Sequence, residues 1–206
     1  MVICVEVISP QFAGKFAAFL AAGGYQAYQR SEGKPQFHRF LTPKDQAFPY
    51  MIELFSRTPE GFDLPEGAIL APVPVEDDAI SLSAILLDGD YFEALQANTR
   101  VENGVSILDE RLLIPFKAKA FLDLSDRKRA GDKVDQKTID KHMRDVFRLI
   151  QLIPTAERVV VSGAIQADLR TFVEVVGTSS AFDPKSLDLP FTLADGLELI
   201  RSIYVL

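Results

Sequence analysis

The sequence predicts an α+β fold: a small mixed β-sheet with helices, followed by a helical C-terminal half. Three observations point that way. Alternating and β-branched apolar segments fill the first hundred residues, and after Asp109 the apolar spacing becomes that of helices. Between the two regimes, Val101 and Val105 flank Asn103-Gly104, the signature of a two-residue hairpin loop of type I′. Strands first and helices later is the order of an α+β chain, with residues 1–108 forming the α/β portion and residues 109–206 a helical portion packed against it.

The elements follow in turn. Met1-Val2-Ile3-Cys4-Val5-Glu6-Val7 is strand-like from its first residue. Ser9-Pro10 then offers an N-cap and an N1 proline, and Phe12, Phe16, Phe19 and Leu20 share a helix face that ends at Gly23-Gly24. Strands are expected at Gln36–Leu41 and Tyr50–Arg57, joined by a polar connection with Pro43 and Pro49. Residues 58–76, rich in proline and acid, predict a loop. A strand near Ile80–Leu87 and a short helix around Tyr91–Gln96 precede the hairpin.

The helical half begins within Glu110–Phe116, where Pro115 marks a start or a kink, and its first helix runs to about Ala130. Gly131–Gln136 is a polar linker. Lys137–Leu152 carries Ile139, Met143, Val146, Phe147 and Ile150 on one face and stops before Pro154. Arg158–Val161, the amphipathic run Ile165–Val176 and a last helix around Leu193–Ile203 complete the chain.

Composition narrows the function classes. The 206 residues are 48% hydrophobic and 25% charged, an ordinary globular balance. No run of 18 apolar residues and no basic region followed by an apolar stretch occurs, so neither a membrane span nor a secretory signal is expected, and the location expected is cytoplasmic. A single cysteine, Cys4, excludes an internal disulfide, and with only His38 and His142 beside it a structural zinc site is not expected. The net charge of −7 is uneven: Arg127–Arg148 holds eight basic and four acidic residues, +4 in all, leaving −11 elsewhere. Such a patch suits a polyanion, though mixed signs also suit a solvated helix surface.

Two charges stand where apolar residues are expected. Spaced 100° apart, Leu113, Phe116, Ala120, Phe121 and Leu124 make one helix face with Lys117 among them, while Lys119 points away as a solvated lysine does. An unpaired ammonium on a core-facing stripe costs several kcal/mol, so Lys117 calls for a partner, a carboxylate or a phosphate in a cleft. In Met51-Ile52-Glu53-Leu54-Phe55, both faces are apolar and Glu53 shares one with Met51 and Phe55. Glu53 is either paired with an arginine for structural reasons or a hard-oxygen ligand for Mg²⁺. Arg144 and Asp145 lie off the apolar face of their helix and fit an exposed surface with Asp140–Arg144 and Lys141–Asp145 pairs, unless that helix packs so that Asp145 reaches Lys117. Serine-nucleophile, phosphate-loop and dinucleotide motifs are absent from the sequence.

The block Leu112–Leu124 with its Phe-Lys-Ala-Lys-Ala core, then Asp126-Arg127-Lys128 and Lys141-His142-Met143-Arg144-Asp145-Val146-Phe147-Arg148-Leu149, resembles the nucleotidyltransferase-like AbiEii abortive-infection toxin group. Strand 50–57 resembles that group's acidic strand, with Glu53 at the carboxylate. The resemblance implies a nucleotidyltransferase-like fold and transfer of a nucleoside monophosphate from an NTP to an acceptor such as tRNA or another RNA. It also implies Mg²⁺ held in part by Glu53, and a cognate antitoxin as partner. It makes Lys117 and Asp145 the catalytic pair, and Lys117, Lys119 and Arg144 the nucleotide-binding residues, Lys119 being the alternative register.

The group's Gly-Ser turn and Asp-x-Asp pair, due ahead of the first apolar strand, have no counterpart here. The strand Met1–Val5 reads as the element that would follow them, as though an ancestral enzyme had lost its front end. A truncated gene model, an inactive relative, and an enzyme completed by another chain all account for this. Phosphoryl transfer rests on positioning and on metal ions that neutralise charge, which one carboxylate cannot supply. Transfer then needs the aspartate pair from upstream sequence or a second chain. The alternative is a non-catalytic binding or interaction module that keeps the fold and uses Arg127, Lys128 and Arg129 for a partner such as RNA.

Overall fold

A computed structural model describes residues 2–5, 10–29, 35–57, 70–73, 82–103, 105–178 and 182–206. The fold is mixed α+β, and the chain divides into two compact units, Met1–Phe92 and Glu93–Leu206. The hairpin therefore belongs with the helices that follow it.

The first unit contains β1 (Val2–Val5), α1 (Pro10–Gly23), β2 (Gln26–Gln29), β3 (Pro35–Leu41), β4 (Met51–Arg57), β5 (Leu70–Val73) and β6 (Leu82–Leu87). Its sheet is built around β4. Glu53 is paired with both Val2 and Arg39, and Phe55 with both Cys4 and Ile85. So β1 runs parallel along one edge of β4, while antiparallel β3 and parallel β6 share the other edge, one after the other. β2 extends the sheet beyond β3, and β5 beyond β6, both antiparallel.

The alternation in β4 divides its faces. Ile52, Leu54 and Ser56 are buried, while Met51, Glu53 and Phe55 are only half-buried. Ile52, Leu54 and Phe40 form a core with Ala13, Phe16 and Leu20 of α1, and Phe16 meets Phe40 edge-on at 5.6 Å between ring centroids. α1 ends where the glycines predict: Gly24 takes φ +63°, the left-handed conformation that turns the chain out of the helix.

Two strands were not expected. β2 is Gln-Ala-Tyr-Gln, too polar to show a period, and β5 lies inside the stretch predicted as a loop. β5 contains Pro72, which is tolerated because β5 pairs only with β6 among the described residues and so is an edge. Residues 58–69 and 74–81, Glu6 and the Ser9 cap lie outside the described residues.

Helix α2 (Gly89–Ala97) leads to β7 (Thr99–Glu102) and β8 (Val105–Leu108), an antiparallel hairpin in register Glu102↔Val105. Asn103 has φ +51°, as the first central residue of a type I′ turn requires; Gly104 lies outside the described residues. Then come α3 (Glu110–Arg129), α4 (Gln136–Ile150), α5 (Gly163–Gly177), a 3₁₀ turn at Pro184–Leu187 and α6 (Leu193–Tyr204). α3 packs against α4 and α5, and α6 against α5 and α4. Phe121 meets Phe172 edge-on at 5.3 Å, and Phe147 lies 5.0 Å from Phe182, in a core closed by Ile165, Leu169, Ile200 and Tyr204. No helix among the described residues is long and apolar enough to cross a membrane.

Candidate functional site

α3 is fixed at its start by Asp109, whose carboxylate accepts the Arg111 backbone N–H at 2.9 Å and its guanidinium at 2.7 Å. The side-chain hydrogen bond from Arg111 holds the Asp109 carboxyl down at about 2. Pro115 neither starts nor breaks this helix; it sits inside it. Without an N–H it leaves the Arg111 carbonyl, one turn back, short of its helical donor. The buried Tyr204 hydroxyl of α6 donates to that carbonyl at 2.5 Å. The helix therefore passes through a proline because a second helix supplies the missing donor.

The buried face of α3 is Ile114, Ala118, Phe121 and Leu122, rotated from the face that the sequence predicts. Lys117 and Lys119 lie about 100° on either side of its mid-line. They border the core instead of one entering it and one facing water. The cause is that α3 packs against two helices, which widens its buried arc until both borders carry a lysine. Each keeps its ammonium at the rim and finds an acid on the neighbouring helix.

Lys117 reaches α4. Its Nζ lies 3.0 Å from Asp145 Oδ2, with side chains 25% and 19% exposed. The helix does pack so that Asp145 meets Lys117, and the Lys141–Asp145 surface pair expected otherwise does not form. Lys119 reaches the other way, 3.1 Å from Asp123 and 3.7 Å from Asp168 of α5. The two lysines therefore serve different places, and Lys119 is not a second register for the Asp145 site. Arg144 is exposed on α4. Arg148, which the sequence marked only as a member of the basic segment, lies 3.7 Å from Asp145 Oδ1 through Nη1. Its spacing of three from Asp145 was the available signal.

Glu53 belongs to the first unit and is described there alone. It sits directly across from Arg39 on β3, and its Oε1 accepts from Arg39 Nε at 2.8 Å and lies 2.5 Å from Nη2. The arginine partner is the structural reading of this carboxylate. Among the described residues Glu53 has no second carboxylate to share Mg²⁺ with, and its Oε1 faces a guanidinium, which would repel a second cation. Among the described residues no three His, Cys, Asp or Glu side chains gather as a metal site. Asp88-Gly89-Asp90 has Asp-x-Asp spacing, but Asp88 accepts the Asp90 backbone N–H at 2.9 Å at the start of α2 and so acts in a turn.

The first three cations of the basic segment have partners nearby. Arg127 pairs with Asp132 at 2.9 Å, Lys128 donates to Gln136 at 2.8 Å, and Arg129 pairs with Asp126. These side chains behave as a helix end tied to its linker. No protein-family model, no curated protein and no solved structure matches the chain.

Proposed function

We propose that this chain is a nucleotidyltransferase-like protein of the abortive-infection toxin type, in which Lys117 binds the triphosphate of an NTP and Asp145 positions it. The observation that carries this reading is the 3.0 Å pair between Lys117 on α3 and Asp145 on α4. An ammonium has three donors, and the ion pair with Asp145 fixes where the group lies while donors remain for phosphate oxygens. At 25% exposure Lys117 is open enough to be reached and fixed enough to be aimed. The acceptor class is an RNA such as tRNA, and the partner class a cognate antitoxin. Transfer of the nucleoside monophosphate requires acidic groups beyond those described.

Calorimetric titration of the chain with each NTP tests the binding. Lys117→Ala is expected to abolish it, and Lys119→Ala to leave it intact, because Lys119 serves α5. A chain that binds no NTP ends this reading. Incubation with labelled NTPs and tRNA tests the transfer, and label that appears and vanishes in Lys117→Ala assigns the reaction.

A further inference from the structure

We infer that Arg148 is the second cation of the phosphate site, and that Asp145 holds Lys117 and Arg148 together as a two-pronged clamp for an oligophosphate. The inference rests on reading Lys117 as a triphosphate ligand. Asp145 uses its two oxygens separately, Oδ2 for Lys117 at 3.0 Å and Oδ1 for Arg148 at 3.7 Å. The Lys117–Asp145 pair alone is neutral and has little attraction for an anion. With Arg148 the group carries one net positive charge around a single carboxylate.

The two contacts differ in length. Lys117 is ion-paired to Asp145 at 3.0 Å, whereas at 3.7 Å Arg148 is too far for a hydrogen bond. The Arg148 guanidinium is thus tethered to Asp145 without committing its donor fork there. That fork matches two phosphate oxygens at once. Burial is graded in the same sense, with the Asp145 side chain 19% exposed and the Arg148 side chain 53%. The arginine side chain is the more open of the two, so an incoming anion meets it more readily.

Arg144, the cation that the resemblance offered, is placed differently. On a helix, Arg144 lies about 100° round from Asp145, while Arg148 lies about 60° round and one turn on. Two cations bridged by one acid suit successive phosphates better than a single phosphate. The ligand class is therefore an oligophosphate, the tail of an NTP, ahead of a monophosphate.

Calorimetry on the full chain with sodium tripolyphosphate, ATP and AMP tests this. Arg148→Ala is expected to weaken tripolyphosphate and ATP about tenfold and Arg144→Ala to change either by less than about twofold, as for one charged hydrogen-bonding group lost or kept. Arg148→Lys recovers part of the loss, since it restores charge without the fork. Because Arg148 is exposed, its variants should melt as the native chain does, and circular dichroism verifies this. If Arg148→Ala binds tripolyphosphate and ATP as the native chain does while Lys117→Ala does not, the clamp is wrong and the Lys117 reading stands. If Lys117→Ala binds as the native chain does, or the native chain binds none of the three, the reading of Lys117 fails and the clamp with it. Equal loss in Arg144→Ala and Arg148→Ala would also overturn the clamp, by showing a diffuse basic surface.

Discussion

Three carboxylates, Glu53, Asp109 and Asp145, are each held by an arginine or lysine, but with different consequences for stability. Glu53 faces Arg39 across β3 and β4 and is 15% exposed, so losing the arginine strands a poorly hydrated charge. Arg39→Met is expected to destabilise the first unit by about 2 kcal/mol, between the surface and buried limits, and Glu53→Gln in that background to recover most of it. Urea denaturation of the single and double variants measures this; no recovery would mean that Arg39 acts through packing. Asp145 keeps Arg148 when Lys117 is removed, so Lys117→Met should stay within about 1 kcal/mol of the native chain while losing triphosphate binding. A large drop in stability would make Lys117 a structural residue first.

Asp109 is 7% exposed and its carboxyl is held at about 2, against an ordinary 3.8. Its stabilisation is fully present above pH 4 and is lost as the pH falls through 2, and amounts to about 2 kcal/mol. Asp109→Asn keeps a capping oxygen and removes the charge. The stability difference between the two chains should therefore shrink from pH 6 to pH 2 in denaturant titrations. A difference constant over that range would assign the effect to the cap alone.

At the scale of elements, the helical unit depends on two places where one helix completes another. Tyr204 of α6 donates to the Arg111 carbonyl that Pro115 leaves without its helical partner. Tyr204→Phe should cost about 1–2 kcal/mol, and less in a Pro115→Ala background, where the restored N–H supplies the bond. A double-mutant cycle by thermal melting reads that coupling, and additive losses would exclude it. Gly196, in the first turn of α6, is the other place. A Cβ there would lie 2.9 Å from the Phe147 ring of α4 and from Phe191. Gly196→Ala is expected to cost about 1–3 kcal/mol through overpacking, measured by its melting temperature.

At the scale of the molecule, the division at Phe92/Glu93 separates two kinds of core. In the first unit α1 lies on a sheet centred on β4, and in the second the helices enclose Phe121, Phe147 and Phe172. A fragment from Gly89 to Leu206, which keeps α2 whole, is expected to fold alone and to melt in one transition. A fragment without cooperative melting would show that the second core needs the first unit.

Apolar patterning in the sequence determined the strands β3, β4 and β6 and the helices from α1 to α6, and the turn residues Asn103-Gly104 determined the hairpin; β4 and α4 bury one regular face each, whereas β7 is exposed throughout. The patterning did not show β2, which is polar, or β5, whose proline is tolerated only at an edge. It named Lys117 and Glu53 as charges needing partners, since desolvation makes an unpaired charge costly wherever the chain goes. Which partner each took was decided only by tertiary packing. Arg39 meets Glu53 through strand register, and α3 turns one border to α4 and the other to α5. That rotation sends Lys117 to Asp145 and Lys119 to Asp168, while Arg148 meets Asp145 through their own helix, three residues apart. A helix wheel fixes the angles between residues of one helix; which angle meets which neighbour depends on how the helices pack.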